Sequence, residues 1–230
     1  MPDITITGPD GNFGAYIAVP EIKPAPAIIV SQEIFGVNQV MRDVCDWLAE
    51  EGFVACCPDL FWRIEPGIQI TDQSDEEWAR AFELFQAFDV DKGVEDLKTT
   101  ISHCRGLPES TGKVGSIGYC LGGKLAFLMA TRSDADCNVS YYGVGLDELV
   151  GEKDQITKPL MLHVAEKDGF FPAEAQAILS AGLSGHPQVT YHLYEGQDHA
   201  FARPKGAHYN LEAAELANGR SRAFLREHLS

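Results

Sequence analysis

A cysteine in a glycine-rich turn is the residue of this 230-residue chain that is best suited to chemistry. The stretch "GYCLGGK", residues 118–124, follows the apolar run "KVGSIGY" and precedes the helical pattern "LAFLMATR". Gly118-x-Cys120-x-Gly122 has the spacing of a strand-to-helix turn that lifts a nucleophile into a cleft, with cysteine in the serine position. The following helix N-terminus favours a thiolate, and the Leu121 N–H would point at a developing oxyanion. This pattern predicts that Cys120 is a nucleophile.

Two other interpretations fit the same turn. Gly118-x-x-x-x-Gly123-Lys124 matches the spacing of a phosphate-binding loop, but Leu125 stands where that motif needs Ser or Thr to hold Mg²⁺. No acidic strand end elsewhere clearly completes such a site. A buried structural cysteine in a tight turn is the second alternative, so the rest of the chain has to decide.

An acid and a base follow Cys120 at the ends of later strand patterns. Asp168 closes the buried pattern in "KPLMLHVAEKDGFFP", and His199 lies in the loop after the strand in "VTYHLYEGQDHAF". The order nucleophile, acid, base is that of the α/β-hydrolase triad. Glu166 is a second acidic candidate, but it falls within the strand pattern, and Asp198 is expected to cap or solvate the loop. We therefore predict a triad of Cys120, Asp168 and His199.

The remaining histidines suggest structural roles. His163 and His192 fall inside strand patterns, where a hydrogen-bonded structural histidine is the expected state. The others lie on helices or loops without evident partners. No pair of histidines has ligand spacing with a nearby carboxylate, so we expect no metal site.

The elements that must position these residues form an alternating pattern. Two strands, 3–7 and 14–19, flank a turn and suggest an antiparallel edge, and buried strands are predicted at 25–32 and 53–60. Further strands are predicted at 113–119, 137–142, 159–166 and 189–194, with helices at 121–132, 173–183 and 207–228. Repeated βα units imply a mostly parallel central sheet with helices on both faces, an α/β class, in a single domain over residues 1–230.

The first half of the chain gives more local signals. A helix stripe is predicted at Val40, Val44, Trp47 and Leu48. Residues 61–74 have no period and are expected to form a long functional loop. A helix starts after Ser74, with Glu77 completing a capping box, and continues in pieces to about residue 105.

Composition narrows the class of partner. The net charge of −16 argues against nucleic acid and anionic membranes as partners. The N-terminus lacks the pattern of a signal peptide, and no apolar run is long enough to cross a bilayer. Six cysteines without a CxxC pair suit reduced thiols in the cytoplasm. We expect a cytoplasmic monomer or small homo-oligomer acting on a small molecule.

With these residues assembled, the sequence resembles the dienelactone hydrolase family of α/β-hydrolases over nearly its whole length. The most specific match is the cysteine turn at 118–124. The others are "SQEIFGVN" at 31–38, "QAFD" at 86–89, "YYGVGL" at 141–146 and "GQDHAFAR" at 196–203. The resemblance implies an α/β-hydrolase fold and hydrolysis of an ester or lactone through a thioester on Cys120, with no cofactor.

The resemblance also implies roles for four further residues. Glu33 matches an active-site glutamate that interacts with the resting thiol and helps to control its ionisation. Ile34 would supply a second oxyanion N–H beside that of Leu121. Arg203 matches the residue that binds a substrate carboxylate, and Tyr142 would line the pocket.

Two departures from the family pattern bear on the substrate. Ala200 stands where typical members carry a serine directly after the histidine. Trp78 and Phe82 stand where they bring an arginine and a tyrosine, and Arg80 is displaced by two residues, about 200° around a helix. The sequence therefore predicts a weaker anion-binding shell and a more aromatic pocket. The competing function is a non-catalytic, oxidant-sensing thiol on a hydrolase scaffold, which would need neither Asp168 nor His199.

Overall fold

The computed structural model describes residues 3–230, which form eight strands, six α-helices and one 3₁₀ helix. The strands are β1 (Asp3–Gly8), β2 (Gly11–Ala18), β3 (Ala25–Ser31), β4 (Val54–Pro58), β5 (Ser110–Tyr119), β6 (Cys137–Tyr141), β7 (Leu160–Ala165) and β8 (Val189–Tyr194). The helices are α1 (Gln39–Glu50), α2 (Asp75–Ala87), α3 (Val90–Arg105), α4 (Leu121–Arg132), α5 (Ala173–Leu183) and α6 (Leu211–Leu229), and the 3₁₀ helix covers Asp147–Gln155.

The eight strands form one sheet in the order β1-β2-β4-β3-β5-β6-β7-β8. β1 and β2 are antiparallel, as the turn between them predicts, and β2 is also antiparallel to β4. The pairs β3–β4, β6–β7 and β7–β8 are parallel. The predicted α/β class with a mostly parallel sheet is confirmed. The chain divides into two compact units, up to Gly115 and from Ser116, and the single domain stays a prediction.

In the first unit, helices cover both faces of β4. Neighbouring strand residues point to opposite faces. The thiol of Cys57 hydrogen-bonds that of Cys45 on α1, whereas the thiol of Cys56 hydrogen-bonds that of Cys104 on α3. All four side chains are fully buried. Thus α1 and α3 pack on opposite faces of this strand.

Two local predictions in the first unit need correction. The buried stripe of α1 is Met41, Cys45 and Leu48, and the predicted Val40, Val44 and Trp47 are only half-buried, because the helix is rotated by about one residue from the predicted stripe.

The capping box of α2 forms only in part. The Ser74 side chain accepts the Glu77 N–H at 3.2 Å, as predicted. The Glu77 carboxylate instead accepts the backbone N–H and the hydroxyl of Thr71. This contact ties the end of the 61–74 loop to the helix.

In the second unit, β7 separates two different environments. Its Leu160, Leu162 and Val164 pack into an apolar cluster with Phe127 of α4 and residues of α5. The intervening His163 points to the other face, where it hydrogen-bonds Ser221 of α6. This face of the sheet therefore holds a buried polar group, as the sequence predicted for His163.

Candidate active site

Cys120 lies in a strained turn between β5 and α4. Its backbone has φ 57° and ψ −114°, in the left-handed region that non-glycine residues rarely adopt. Its N–H donates to the Tyr141 carbonyl at 3.1 Å, and its own carbonyl accepts the Lys124 N–H. The side chain is 9% exposed. This conformation is the sharp strand-to-helix turn that the glycine spacing predicts.

The glycines around Cys120 are required by close backbone approaches. A Cβ on Gly118 would overlap the carbonyl of Gly122. A Cβ on Gly123 would lie 2.5 Å from the Tyr141 carbonyl oxygen and 2.7 Å from the Gly143 Cα. The first turn of α4 thus rests directly on the backbone that follows β6.

Replacing Gly123 by alanine should destabilise the protein by about 3 kcal/mol, because only backbone atoms could move to make room. A fall of about 6–12 °C in the thermal midpoint would register this loss. Gly219→Ala in α6 is the matched control, since nothing lies within 4 Å of its added Cβ. The control should gain about 0.5–1 kcal/mol. Equal midpoints for both variants would contradict the close approach.

The predicted acid and base contact each other. His199 Nδ1 lies 2.8 Å from Asp168 Oδ2, and both side chains are buried. The other carboxylate oxygen, Oδ1, accepts the backbone N–H groups of Phe170 and Phe171. Asp168 is therefore fixed by its own loop after β7 and holds one edge of the imidazole.

His199 also hydrogen-bonds the thiol of Cys120, so the structure brings the three predicted triad residues together. Burial by itself lowers the pKa of His199. Charge interaction with Cys120 and hydrogen bonds to Asp168 and Cys120 outweigh burial and raise the pKa to about 10. An imidazole in this environment holds its proton at neutral pH.

The two competing carboxylates have structural roles. Glu166 is half-buried, and its Oε2 accepts the Gly196 N–H at 2.8 Å. Asp198 Oδ1 accepts the N–H groups of Gly169 and His199, so it caps the loop as the sequence suggested. Both carboxylates therefore hold backbone groups of the loops around them.

Aromatic rings surround His199. Tyr142, a predicted pocket residue, has a positive φ of 37° and places its ring 5.2 Å from the His199 ring. Phe170, which the sequence analysis missed, places its half-exposed ring 4.9 Å from the same imidazole. The available signal was its position two residues after Asp168, in the loop that carries the acid.

Arg203 and Ala200 follow the histidine in the same loop. Arg203 is only 8% exposed, unusual for an arginine, and its N–H donates to the Ala200 carbonyl. Ala200 has a positive φ of 62°. The residues around His199 are thus held in a compact, buried turn.

The remaining predicted site residues lie in the first unit. Glu33 and Ile34 are buried in the segment directly after β3, and Phe35 follows them. The ring of Trp78 meets Phe35 edge-on at 5.1 Å and stacks on Phe82 at 5.6 Å. An aromatic row therefore continues from the segment that carries Ile34.

Arg80 does not join this aromatic row. Its guanidinium pairs with Glu65 and Glu83 at the protein surface. This placement agrees with the displacement expected from its position on the helix. The two pairs are exposed, so we assign them little stabilising effect.

Residues 3–230 have three further features that bear on function. All six cysteines are free thiols. In this range no cluster of three or more His, Cys, Asp or Glu residues could hold a metal ion. None of the described helices has the length and apolar character needed to span a bilayer.

Comparisons with known proteins give a consistent family. The family model for the dienelactone hydrolase family matches residues 13–229. A protein of Azospirillum brasilense, provisionally named a carboxymethylenebutenolidase, is 56% identical over the full length of both chains. The carboxymethylenebutenolidase of Pseudomonas putida is 42% identical and covers 96% of this chain and 94% of its own.

Solved structures extend the likeness to the fold. A crystal structure of a provisionally assigned dienelactone hydrolase from Klebsiella pneumoniae subsp. pneumoniae superposes with a TM-score of 0.85. Its sequence is 25% identical, and the match covers 98% of this chain and 97% of that one.

Proposed function

Because this chain belongs to the dienelactone hydrolase family and is a carboxylic ester hydrolase, we propose that it opens an ester or lactone with Cys120 as nucleophile. The observation that carries this proposal is the arrangement of Cys120, His199 and Asp168. A strained cysteine meets an imidazole whose far nitrogen is held by a buried carboxylate at 2.8 Å. This is the geometry that nucleophilic catalysis requires of its three groups.

The reaction proceeds in two steps. The Cys120 thiolate attacks the substrate carbonyl carbon, and the oxygen takes the negative charge of a tetrahedral intermediate. Collapse expels the alcohol or enol oxygen, which takes a proton from His199, and leaves a thioester. His199 then removes a proton from water, whose oxygen attacks the thioester and releases the acid and the Cys120 thiolate, beside a protonated His199.

Backbone N–H groups stabilise the oxyanion. Leu121 is the first residue of α4, so its N–H has no acceptor within the helix. Ile34, buried in the segment after β3, supplies the second N–H in this proposal. Two such donors aimed at the developing charge lower the barrier more than any other single contribution.

Glu33 controls the thiol before substrate binds. A buried carboxylate near a thiolate opposes a second negative charge and so favours the neutral, less oxidisable thiol. Substrate binding then changes this balance. Cys120 would thus become reactive when its target is present.

The proposed substrate is a lactone or enol ester that carries a carboxylate. Arg203 is a buried cation in a chain of net charge −16, so it suits one anionic group on the ligand. Trp78 and Phe82 add flat apolar surface for the unsaturated part. The relatives named carboxymethylenebutenolidase support the same substrate class.

Turnover on three esters tests this proposal. We expect hydrolysis of p-nitrophenyl acetate, of a neutral enol-lactone and of dienelactone, each blocked when Cys120 is alkylated by iodoacetamide. Arg203→Gln should raise KM for dienelactone by about 10- to 100-fold, because a charge-assisted hydrogen bond is lost. The neutral esters should keep their KM, and Arg222→Gln, an exposed arginine on α6, should change neither.

Each other outcome has a definite meaning. If Arg203→Gln weakens all three substrates equally, its role is structural and the carboxylate subsite is wrong. If alkylated protein hydrolyses all three at the original rate, Cys120 is not the nucleophile. If the intact protein hydrolyses none of them, while Cys120 reacts readily with peroxide, the oxidant-sensing alternative gains the support that this proposal loses.

A further inference from the structure

A buried chain of hydrogen bonds runs behind the nucleophile turn, through residues to which the proposed function gives no part. Both ring nitrogens of His163 are occupied: Nδ1 lies 2.7 Å from the Tyr194 hydroxyl and Nε2 lies 2.9 Å from the Ser221 hydroxyl. Ser221 Oγ lies 2.7 Å from the Tyr141 hydroxyl, which donates to Asn218 Oδ1 at 3.0 Å. The chain therefore joins β6, β7, β8 and α6.

The two ends of this chain set the direction of every hydrogen bond in it. Arg220 lies over the Tyr194 ring and hydrogen-bonds its hydroxyl, and a guanidinium can only donate. The Tyr194 hydroxyl oxygen thus accepts from Arg220, which leaves its hydrogen for His163 Nδ1, and the hydrogen of a neutral ring then lies on Nε2. His163 then donates to Ser221. Because Tyr141 donates to the carboxamide oxygen of Asn218, Ser221 must donate to Tyr141.

A neutral His163 fits this order, because its bare Nδ1 accepts the Tyr194 hydrogen while its Nε2–H donates to Ser221. Burial lowers the pKa of His163 well below its ordinary value, and the nearby His192 and Arg220 act in the same direction. The chain is therefore a fixed arrangement with one tautomer and one orientation of each hydroxyl.

The chain connects to Cys120 and His199 through the backbone. The Tyr141 carbonyl accepts the Cys120 N–H at 3.1 Å, and the Tyr142 N–H donates to the His163 carbonyl at 2.8 Å. The ring of Tyr142 then contacts His199. The segment Tyr141–Tyr142 thus links the buried chain to both the nucleophile and the base.

Backbone strain explains why such a link is needed. Cys120, Tyr142 and Ala200 are three of the four non-glycine residues with positive φ in the described chain. Conformations of this kind persist only where the surrounding contacts hold them in place. The rings of Tyr141 and His163 also pack at 4.3 Å, which adds contact area to the hydrogen bonds.

We propose that His163, Ser221 and Tyr194 are positioning residues for the hydrolase: through Tyr141 and Tyr142 they hold Cys120 and His199 in the geometry for attack. This inference rests on the proposed function, because it takes Cys120 as the nucleophile. It assigns the buried face under α6 a role in catalysis besides its role in stability.

Two variants cut the chain with small changes in volume. Ser221→Ala removes the central hydroxyl, and Tyr194→Phe removes only the outer one. Tyr191→Phe is the matched control, because Tyr191 lies on the same strand but packs against the apolar cluster on the other face of β7. Rates are measured well below the thermal midpoint of each variant, and if Ser221→Ala does not fold, Tyr194→Phe carries the test.

The expected result is a fall in kcat without a matching change in KM. Ser221→Ala should lower kcat about tenfold and Tyr194→Phe about threefold, since small displacements of reacting groups slow the chemical step. KM should stay within about twofold. The kcat of the double variant, Ser221→Ala with Tyr194→Phe, should lie within about twofold of that of Ser221→Ala alone. Substitutions in one hydrogen-bonded chain have effects that are not additive.

A second measurement separates this inference from the proposed function. The rate of Cys120 alkylation by iodoacetamide, followed against pH, should fall in both variants and stay unchanged in Tyr191→Phe. If alkylation leaves ester turnover intact in the wild type, the proposed function fails, but this comparison still reports on the chain. Folded variants whose kcat and alkylation rate both match the wild type would overturn the positioning role.

Discussion

Replacing Cys120 by alanine should reduce ester hydrolysis by about 10⁴-fold or more while the protein stays folded. The thiolate forms the only covalent bond between enzyme and substrate in the proposed reaction, so its removal leaves no nucleophile in the site. The substitution removes a single sulfur atom from a side chain that is 9% exposed, so we expect a stability change of about 1 kcal/mol. The measurement is kcat/KM on p-nitrophenyl acetate together with a thermal melt.

Cys137→Ala is the control for this experiment. Cys137 is fully buried on β6, and burial raises the pKa of its thiol to about 12, so it has no thiolate to offer at neutral pH. This variant should keep its activity although it loses a buried sulfur atom. Cys120→Ala activity within tenfold of the wild type would eliminate the cysteine mechanism.

Asp168→Asn should lower kcat by about 10³- to 10⁴-fold, the second largest effect we expect. Oδ1 must go on accepting the N–H groups of Phe170 and Phe171, so the new amide nitrogen would face His199 Nδ1. The imidazole would then carry its hydrogen on Nε2, toward Cys120, where a base needs a lone pair. The variant selects the wrong tautomer while it preserves the shape of the site.

The same substitution should change the pH dependence of stability. The pKa of His199 is about 10 in the folded state, above its ordinary 6.5. Its stabilising effect is therefore complete below about pH 6.5 and is lost as the pH rises toward 10. Without the Asp168 carboxylate the pKa of His199 falls, so the loss of stability across this window should become smaller. Denaturant unfolding at pH 6 to 9.5 measures the difference.

Glu166→Gln is the matched control for the acid. Glu166 precedes Asp168 by two residues, but its half-buried side chain accepts the Gly196 N–H. We expect kcat within about twofold of the wild type, because an amide oxygen can accept the same bond. Activity lost in Glu166→Gln and kept in Asp168→Asn would reverse the assignment of the acid.

Much of the site could be predicted because its residues fall at the ends of elements. Cys120 is placed by the strand-to-helix pattern around it, and Asp168 and His199 follow buried strands whose apolar runs are evident in the sequence. The backbone geometry at these positions depends mainly on residues nearby in the sequence, so the sequence pattern can predict it. The turn at Cys120 needs glycine for close approach, and that need is visible as spacing alone.

The buried polar chain could not be predicted, because it depends on contacts between distant residues. His163 was expected to be structural, yet its partners Tyr194 and Ser221 lie 31 and 58 residues away. Nothing in the pattern around Ser221 marks it as a link between a histidine and a tyrosine. The positive φ of Tyr142 could not be predicted either, because this position is not occupied by glycine.

The stripe of α1 shows a third kind of limit. The predicted stripe includes Leu48, which is buried, but the other buried positions are Met41 and Cys45 rather than the predicted valines and tryptophan. Cysteine and methionine bury as readily as valine, so hydrophobicity alone could not choose between adjacent stripes. The contact between the Cys45 and Cys57 thiols shows which face of the helix meets β4.

Five buried thiols make transient opening of the protein measurable. Cys45, Cys56, Cys57 and Cys104 lie in the first unit and Cys137 in the second, all inaccessible to reagents in the closed state. A thiol reagent therefore reaches them only when the structure opens transiently. Peptide mass spectrometry of the wild-type protein then gives a separate modification rate for the cysteines of each unit. Equal modification rates in the two units would mean that they open in one cooperative event. Unequal rates would mean that each unit opens independently.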